Sequence, residues 1–394
     1  MKRPTSTGVY ITGTATCMPN APVDNAHMEQ VLGQVGPRPS RARAIVLRNN
    51  GIKRRFYALD PVTGLPTHSN AQLTAQAVRN LCDAEFSLDQ LDCLATGTSM
   101  PDQLMPNHGV MVHGELGTTS HEVASTAGIC LAGVTALRYA YLSVLSGERS
   151  CAVSTGSEIA SVGLHARHFK AESEERLADL ERQPEIAFDK DFLRWMLSDG
   201  AGAILLRPQP RVRGLSLRID WMELSSHANV LPACMYQGAR KREDGSLEGW
   251  NTQSQQQWLS ESTLTLKQDV RLLNEHIVEQ TLVQPLQRAA IKHGLREEDI
   301  DWFLPHMSSN YFRQPLAEGI ARVGLAIPQE RWFTNLGSMG NTGSAAFYIM
   351  LDELLRSKRL QPGQKLLAFV PESGRFSSGF IHMTAIQGEE DKNA

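Results

Sequence analysis

The sequence predicts an α/β fold built from two similar halves, about 1–212 and 213–394. Three observations point there. Strand-like and helical stretches alternate along all 394 residues, which favours a mostly parallel, buried sheet flanked by helices. A block also recurs. FSLDQLDCLATGTS (86–99) and LREEDIDWFLPHMSS (295–309) each run from acidic residues through an apolar–Asp step into a short apolar strand. Asp92 and Asp301 stand 209 residues apart. A second block recurs at nearly the same spacing, with Cys130 and Asn341 211 residues apart.

In order, GVYITGTATCMP (8–19) reads as the first strand, and Ala71–Ala84 as a helix before the strand that ends at Ser99. Leu131–Gly147 is Ala/Leu-rich and helical, and Cys151–Thr155 is the strand after it. DGAGAILL (199–206) closes the first half as a strand. In the second half, Ile277–His293 is a helix and Leu304-Pro305-His306 ends a strand. Ser344–Leu355 is a helix, Lys365–Val370 a strand, and Gly379–Ala385 the closing strand. Two stretches stand outside the repeat. Residues 164–196 are charged, with helical spacing around Glu172–Glu181, and 232–260 are polar and loop-like. Insertions of this kind either shape a site or stay on the surface.

Composition narrows the function. A net charge of −3 argues against binding nucleic acid by phosphate neutralisation. The six cysteines, at 17, 82, 93, 130, 151 and 234, form no CxxC and no zinc-spaced cluster, so neither a metal site nor a disulfide scaffold is expected. No apolar run reaches the roughly 18 residues of a membrane span, and MKRPTSTGVYITG lacks a signal-peptide core. The expectation is a cytoplasmic protein with reduced thiols.

Cys130, in STAGICLAG, falls at or beside a helix N-terminus. There the helix dipole and free N–H groups favour thiolate and can hold an oxyanion. A buried packing cysteine has the same local sequence. Partners would come from the second half. His306 ends its strand, and Asn341 lies in NLGSMGNTGSAA at the position matching Cys130. A pseudo-two-fold relation brings these three together. The glycines of that loop could instead cradle phosphate, but no Lys-Ser/Thr follows. Glu158, in STGSEIAS, is a candidate general base or a structural carboxylate bonded to loop N–H groups. In PESGRFSSG (371–379), the Gly374 N–H is a candidate second oxyanion donor and Glu372 a weaker candidate base.

At these residues the sequence resembles the thiolase-fold condensing enzymes, most of all the ketoacyl-acyl-carrier-protein synthase III group. The matching marks are GVYITGTATCMP, GIKRRF (51–56), ASTAGICLAG, SDGAGAILL, LPHMSSNYF and NLGSMGNTGSAA, in family order. The resemblance implies a five-layered α/β/α/β/α fold and a homodimer. It implies an acyltransferase that loads an acyl group on Cys130 and forms a C–C bond by Claisen condensation, with His306 and Asn341 as partners. Cys130 and Gly374 would form the oxyanion hole. The substrates would be coenzyme A or acyl-carrier-protein thioesters, with no further cofactor, nucleic acid or membrane. Lys53, Arg54 and Arg55 become candidate docking residues, whereas the RKR run at 240–242 reads as solvated surface. Leu104, Met105 and Met111 are candidate liners of the acyl tunnel. Glu158 and the long insertion look more like the branch that makes dialkylresorcinols, where a Glu at this position assists ring closure. A transferase or thioesterase without C–C bond formation, and a non-catalytic partner subunit, are the competing readings.

Overall fold

The computed structural model describes residues 8–35, 41–169 and 193–389. The helical spacing expected around Glu172–Glu181 lies outside them. Nine strands form one sheet, numbered here in chain order. They are β1 (Tyr10–Cys17), β2 (Cys93–Thr98), β3 (Glu122–Ala127), β4 (Ala152–Glu158) and β5 (Gly200–Arg207), then β6 (Leu215–Ser226), β7 (Trp302–Pro305), β8 (Lys365–Glu372) and β9 (Ser377–Gln387). Their spatial order is β7-β8-β9-β6-β1-β5-β4-β2-β3.

That order contains one motif twice. From the middle outward, the first half runs β1-β5-β4-β2-β3 and the second β6-β9-β8-β7. The matching pairs share their sense. β1–β5 and β6–β9 are antiparallel, as are β5–β4 and β9–β8, whereas β4–β2 and β8–β7 are parallel. A parallel bridge from Phe303 to Trp332 stands where the first half has the β2–β3 pairing. The two leaves join at β1–β6 through Tyr10↔Arg218 and Ile11↔Leu217.

The sheet is therefore mixed, not mostly parallel as the alternation suggested. Parallel neighbours need a crossover helix, and only the strands flanked by helices have one. β8 and β9 are joined by a short turn and are necessarily antiparallel.

Helices complete the layers. These are α1 (Asn70–Arg79), α2 (His108–Leu116), α3 (Ala132–Leu145), α4 (Val270–Val278), α5 (Gln284–His293), α6 (Arg313–Arg322) and α7 (Ala346–Arg356). Ser69 starts α1 with a capping box, its side chain bonded to the Gln72 N–H and the Gln72 side chain to its own N–H. α1 and α2 cover one leaf, and a cluster including Leu73, Val78, Val112 and Leu205 seals that face. α4, α5 and α6 cover the other leaf around Leu286, Phe303, Leu316 and Phe380.

α3 and α7 lie between the leaves. α3 buries Val134, Ala136, Leu137, Ala140 and Val144 and is apolar around most of its girth, as a helix covered on both sides must be. It packs on β2 and β4, and Arg138 donates across to the Met222 carbonyl in β6. α7 buries Phe347 through Asp352 in one run. The result is α/β/α/β/α layering. Among the described residues no helix is long and apolar enough to cross a membrane.

Candidate active site

The two central helices are tied together at their N-terminal ends. The Tyr348 hydroxyl of α7 donates to the Gly133 carbonyl of α3 at 2.8 Å and bonds the Ser154 hydroxyl of β4 at 2.7 Å. The Ser344 hydroxyl donates to the Ser157 carbonyl at 2.9 Å. Gly156 makes this approach possible, because a Cβ there would collide with the Ser344 carbonyl. These contacts carry residues far apart in sequence to one point. A cavity of about 320 Å³ is lined by Cys130, Glu158, His306 and Asn341 together, with Ser99, Ser308 and Ser373 among its polar neighbours.

Cys130 stands just before α3 and is 9% exposed. His306 follows the last residue of β7, and its N–H bonds the Phe369 carbonyl at 2.8 Å, extending the pairing with β8. Burial alone pushes the imidazole down to about 4, so it is neutral at neutral pH. Asn341 is held by backbone bonds to Met196 and Ser198. Its side-chain oxygen accepts the Gly343 N–H at 3.0 Å, which leaves the amide N–H₂ as donor to the cavity. Gly343 has φ +52°, and a Cβ there would stand 2.9 Å from Glu158 Cγ, so glycine is required twice over.

Glu158 ends β4 and is 3% exposed. It accepts the Ser99 hydroxyl at 2.6 Å, the Ser99 N–H at 3.2 Å and the Ser344 N–H at 3.1 Å. Burial outweighs these bonds and pushes its carboxyl up to about 7. The group thus changes charge near neutrality, as a base or acid working there needs to.

The sulfur differs from the sequence expectation. Burial raises the Cys130 thiol, and the charges of Glu372 and Glu158 raise it further. Two amides beside the sulfur, at the entry to the helix, are taken. Glu372 Oε2 accepts the N–H groups of Ile129 at 2.9 Å and Leu131 at 3.1 Å. The resting sulfur is a thiol, and the N–H of Cys130 itself, between the two bonded amides, is left for an oxyanion. Gly374 is not among the residues lining the cavity, although Ser373 is. It lies against Ile129, with a Cβ position 3.0 Å from Ile129 Cδ1.

Other expectations are also revised. Arg55 is fully buried, donating to the Trp195 carbonyl at 2.6 and 3.1 Å and to Asn25 Oδ1 at 2.6 Å, so it cannot dock a carrier. Lys53 and Arg54 are exposed beside it. Arg240 and Lys241 of the RKR run are held by Glu248 and Asp269. Leu104 and Met105 are 72% and 85% exposed, and Met111, on α2, packs outside the cavity against the cluster beneath α1 and α2. Apolar lining comes instead from Met100, Ile129, Met196, Leu197, Met235 and Ile277. Leu104 borders a second, wider cavity that shares Ser99, Met100 and Gln237 with the first. The stretch 232–260 is not a plain loop. It pairs Ala239–Lys241 with Leu247–Gly249, and its Met235, Tyr236 and Gln237 line the site.

Ser99 and Ser344, which bind Glu158, were not singled out from sequence. The signal was present for Ser99, because it follows β2 just as Ser308 follows β7 in the repeat.

Residues 291–379 match the family described as 3-oxoacyl-[acyl-carrier-protein (ACP)] synthase III C terminal. A beta-ketoacyl-[acyl-carrier-protein] synthase III of Dinoroseobacter shibae is 24% identical over 354 residues, covering 90% of this chain and 92% of that protein. The segment 291–379 thus matches the synthase III family, and the chain along most of its length is similar to a ketoacyl synthase III. Solved structures share the thiolase-like fold. AbyA1, a tetronic acid condensing enzyme, matches with a TM-score of 0.71 at 21% identity, over 95% of this chain and 99% of that one. Xanthomonas campestris OleA, solved with lauric acid and lauroyl-CoA, gives 0.69 at 18% identity, over 96% and 99%. FabH of Pseudomonas aeruginosa PAO1 gives 0.68 at 17% identity, over 96% and 98%.

Proposed function

We propose that this ketosynthase loads an acyl group from a coenzyme A or acyl-carrier-protein thioester onto Cys130 and condenses it with a malonyl- or 3-ketoacyl-thioester. The observation that carries the reading is the shared cavity of Cys130, His306, Asn341 and Glu158.

In loading, the Cys130 sulfur attacks the thioester carbon. A C–S bond forms, the bond to the carrier sulfur breaks, and the thiol proton leaves with the departing thiolate. The tetrahedral oxyanion is held by the N–H of Cys130, with a second donor from the 371–374 turn, whose Pro371 and Ser373 line the cavity. One such donor is worth about 3 kcal/mol. His306, neutral, and the Asn341 amide then donate to the thioester oxygen of the second substrate as its enolate forms, by loss of CO2 from a malonyl partner or by transfer of the proton between the two carbonyls of a 3-ketoacyl partner to Glu158. The enolate carbon attacks the acyl carbon, the C–S bond to Cys130 breaks, and the sulfur regains a proton. With a 3-ketoacyl partner and an α,β-unsaturated acyl group on Cys130, Glu158 takes a proton from the carbon beyond the 3-keto group, that carbon adds to the β-carbon of the double bond, and the former α-carbon takes up a proton, which closes a cyclohexanedione precursor of a dialkylresorcinol. Its carboxyl near 7 is suited to that transfer.

Lys53 and Arg54 dock the acidic carrier or the coenzyme phosphates, and the enzyme works as a homodimer in the cytoplasm. Chromatography of products from an acyl thioester with malonyl or 3-ketoacyl partners tests the reading. A C–C coupled product is expected, with the cyclic one lost in Glu158→Gln. Free acid alone would reject condensation.

A further inference from the structure

We propose that Glu372 is a positioning residue for the reactive cysteine, clamping the amides on either side of it and keeping the resting sulfur protonated by its charge. This rests on the reading of Cys130 as nucleophile. The clamp is direct, since one oxygen, Oε2, accepts both the Ile129 and the Leu131 N–H. Two donors converging on one carboxylate oxygen fix the peptide planes before and after Cys130. Among the described residues no other residue accepts the Cys130 N–H, so the clamp leaves that donor for the oxyanion.

Glu372 comes from the end of β8, in the other half of the molecule. It therefore couples the position of the sulfur to the strand that also sets His306 through Phe369. The groups that face the sulfur are Glu372 from β8, Glu158 from β4 and His306 after β7. Two are carboxyl groups and the third is an uncharged imidazole, so none of these three stabilises a thiolate at rest. A helix start normally does so, and here a carboxylate occupies it. A resting thiol is slow to oxidise, and an arriving thioester meets sulfur that ionises only as the bond forms.

The test measures alkylation of Cys130 by iodoacetamide, read on the Cys130 peptide by mass spectrometry, in the full chain from about pH 6 to 10. Glu372→Gln keeps an oxygen for both N–H groups and removes the charge. Its alkylation is expected to be about three- to tenfold faster than wild type at fixed pH, with the pH midpoint lowered by half to one unit. Glu372→Asp, which keeps the charge, is expected within about twofold of wild type. Should Glu372→Gln not fold, Glu372→Asn against Glu372→Asp carries the same contrast. Equal profiles for the charged and neutral variants, or no alkylation of Cys130 in either, would overturn the proposal. Failure of wild type to take an acyl group from a thioester would instead sink the ketosynthase reading, and the alkylation contrast is scored independently of it.

Discussion

Replacing Glu158 by Gln changes one proton and almost no shape. The amide oxygen accepts the Ser99 and Ser344 N–H groups as the carboxylate does, and the amide N–H₂ finds the Ser99 hydroxyl. The carboxyl sits near 7 in the fold against 4.5 for an ordinary glutamate, because it is buried. The folded state therefore binds this proton more tightly than the unfolded chain. Its stabilising contribution is complete below about pH 4.5 and is lost as pH rises to about 7. A gap of that size is worth about 3 kcal/mol at 1.36 kcal/mol per unit. Urea unfolding of wild type and Glu158→Gln, at one protein concentration and several pH values, isolates the effect. Asp199 and His306 also titrate abnormally, but both proteins carry them and they cancel in the difference. The variant is expected to gain about 3 kcal/mol on wild type between about pH 4.5 and 8. A difference that does not change with pH would show an ordinary ionised glutamate, and the argument for a base poised near neutrality would fail.

His306→Ala is expected to keep acylation of Cys130 nearly intact and to lower condensation by about a hundredfold or more, read as acyl mass against coupled product. Equal loss of both steps would contradict the division of roles. Gly343→Ala places a Cβ against Glu158 at a positive φ and should cost about 2 to 4 kcal/mol in urea unfolding, with loss of condensation. Arg55→Met leaves the Trp195 carbonyl with Asn50 as its side-chain donor and strands Asn25 Oδ1, so a loss of about 1 to 3 kcal/mol is expected with an unchanged KM for the acyl thioester. Lys53→Ala with Arg54→Ala should do the reverse, raising KM with little change in melting temperature.

The architecture was legible because duplication repeats not only residues but strand sense. The recurrence of an apolar–Asp step before Cys93 and Trp302 marks equivalent strands, and those strands occupy equivalent places in the two leaves. Cys130 and Asn341 were readable as a pair for the same reason. Arg55 was misread because a basic run looks solvated in sequence, whereas alternation along the short strand Arg54–Arg55 sends Arg54 outward and Arg55 in, onto the Trp195 carbonyl of a distant segment. Glu372 was undervalued because its two donors lie 243 and 241 residues away, and no local pattern reports such a contact. The thiolate expectation failed on the same contact. A helix entry favours an anion through its free amides, and Glu372 already holds those of Ile129 and Leu131 and adds its own negative charge.

The most direct measurement is peptide-resolved mass spectrometry after the purified protein meets an acyl thioester. One acyl group is expected on the peptide that carries Cys130, and none on that peptide in Cys130→Ala. Adding a malonyl or 3-ketoacyl thioester is expected to discharge it as a carbon–carbon coupled product. No acyl group on wild type, or the same mass gain in Cys130→Ala, would contradict the account.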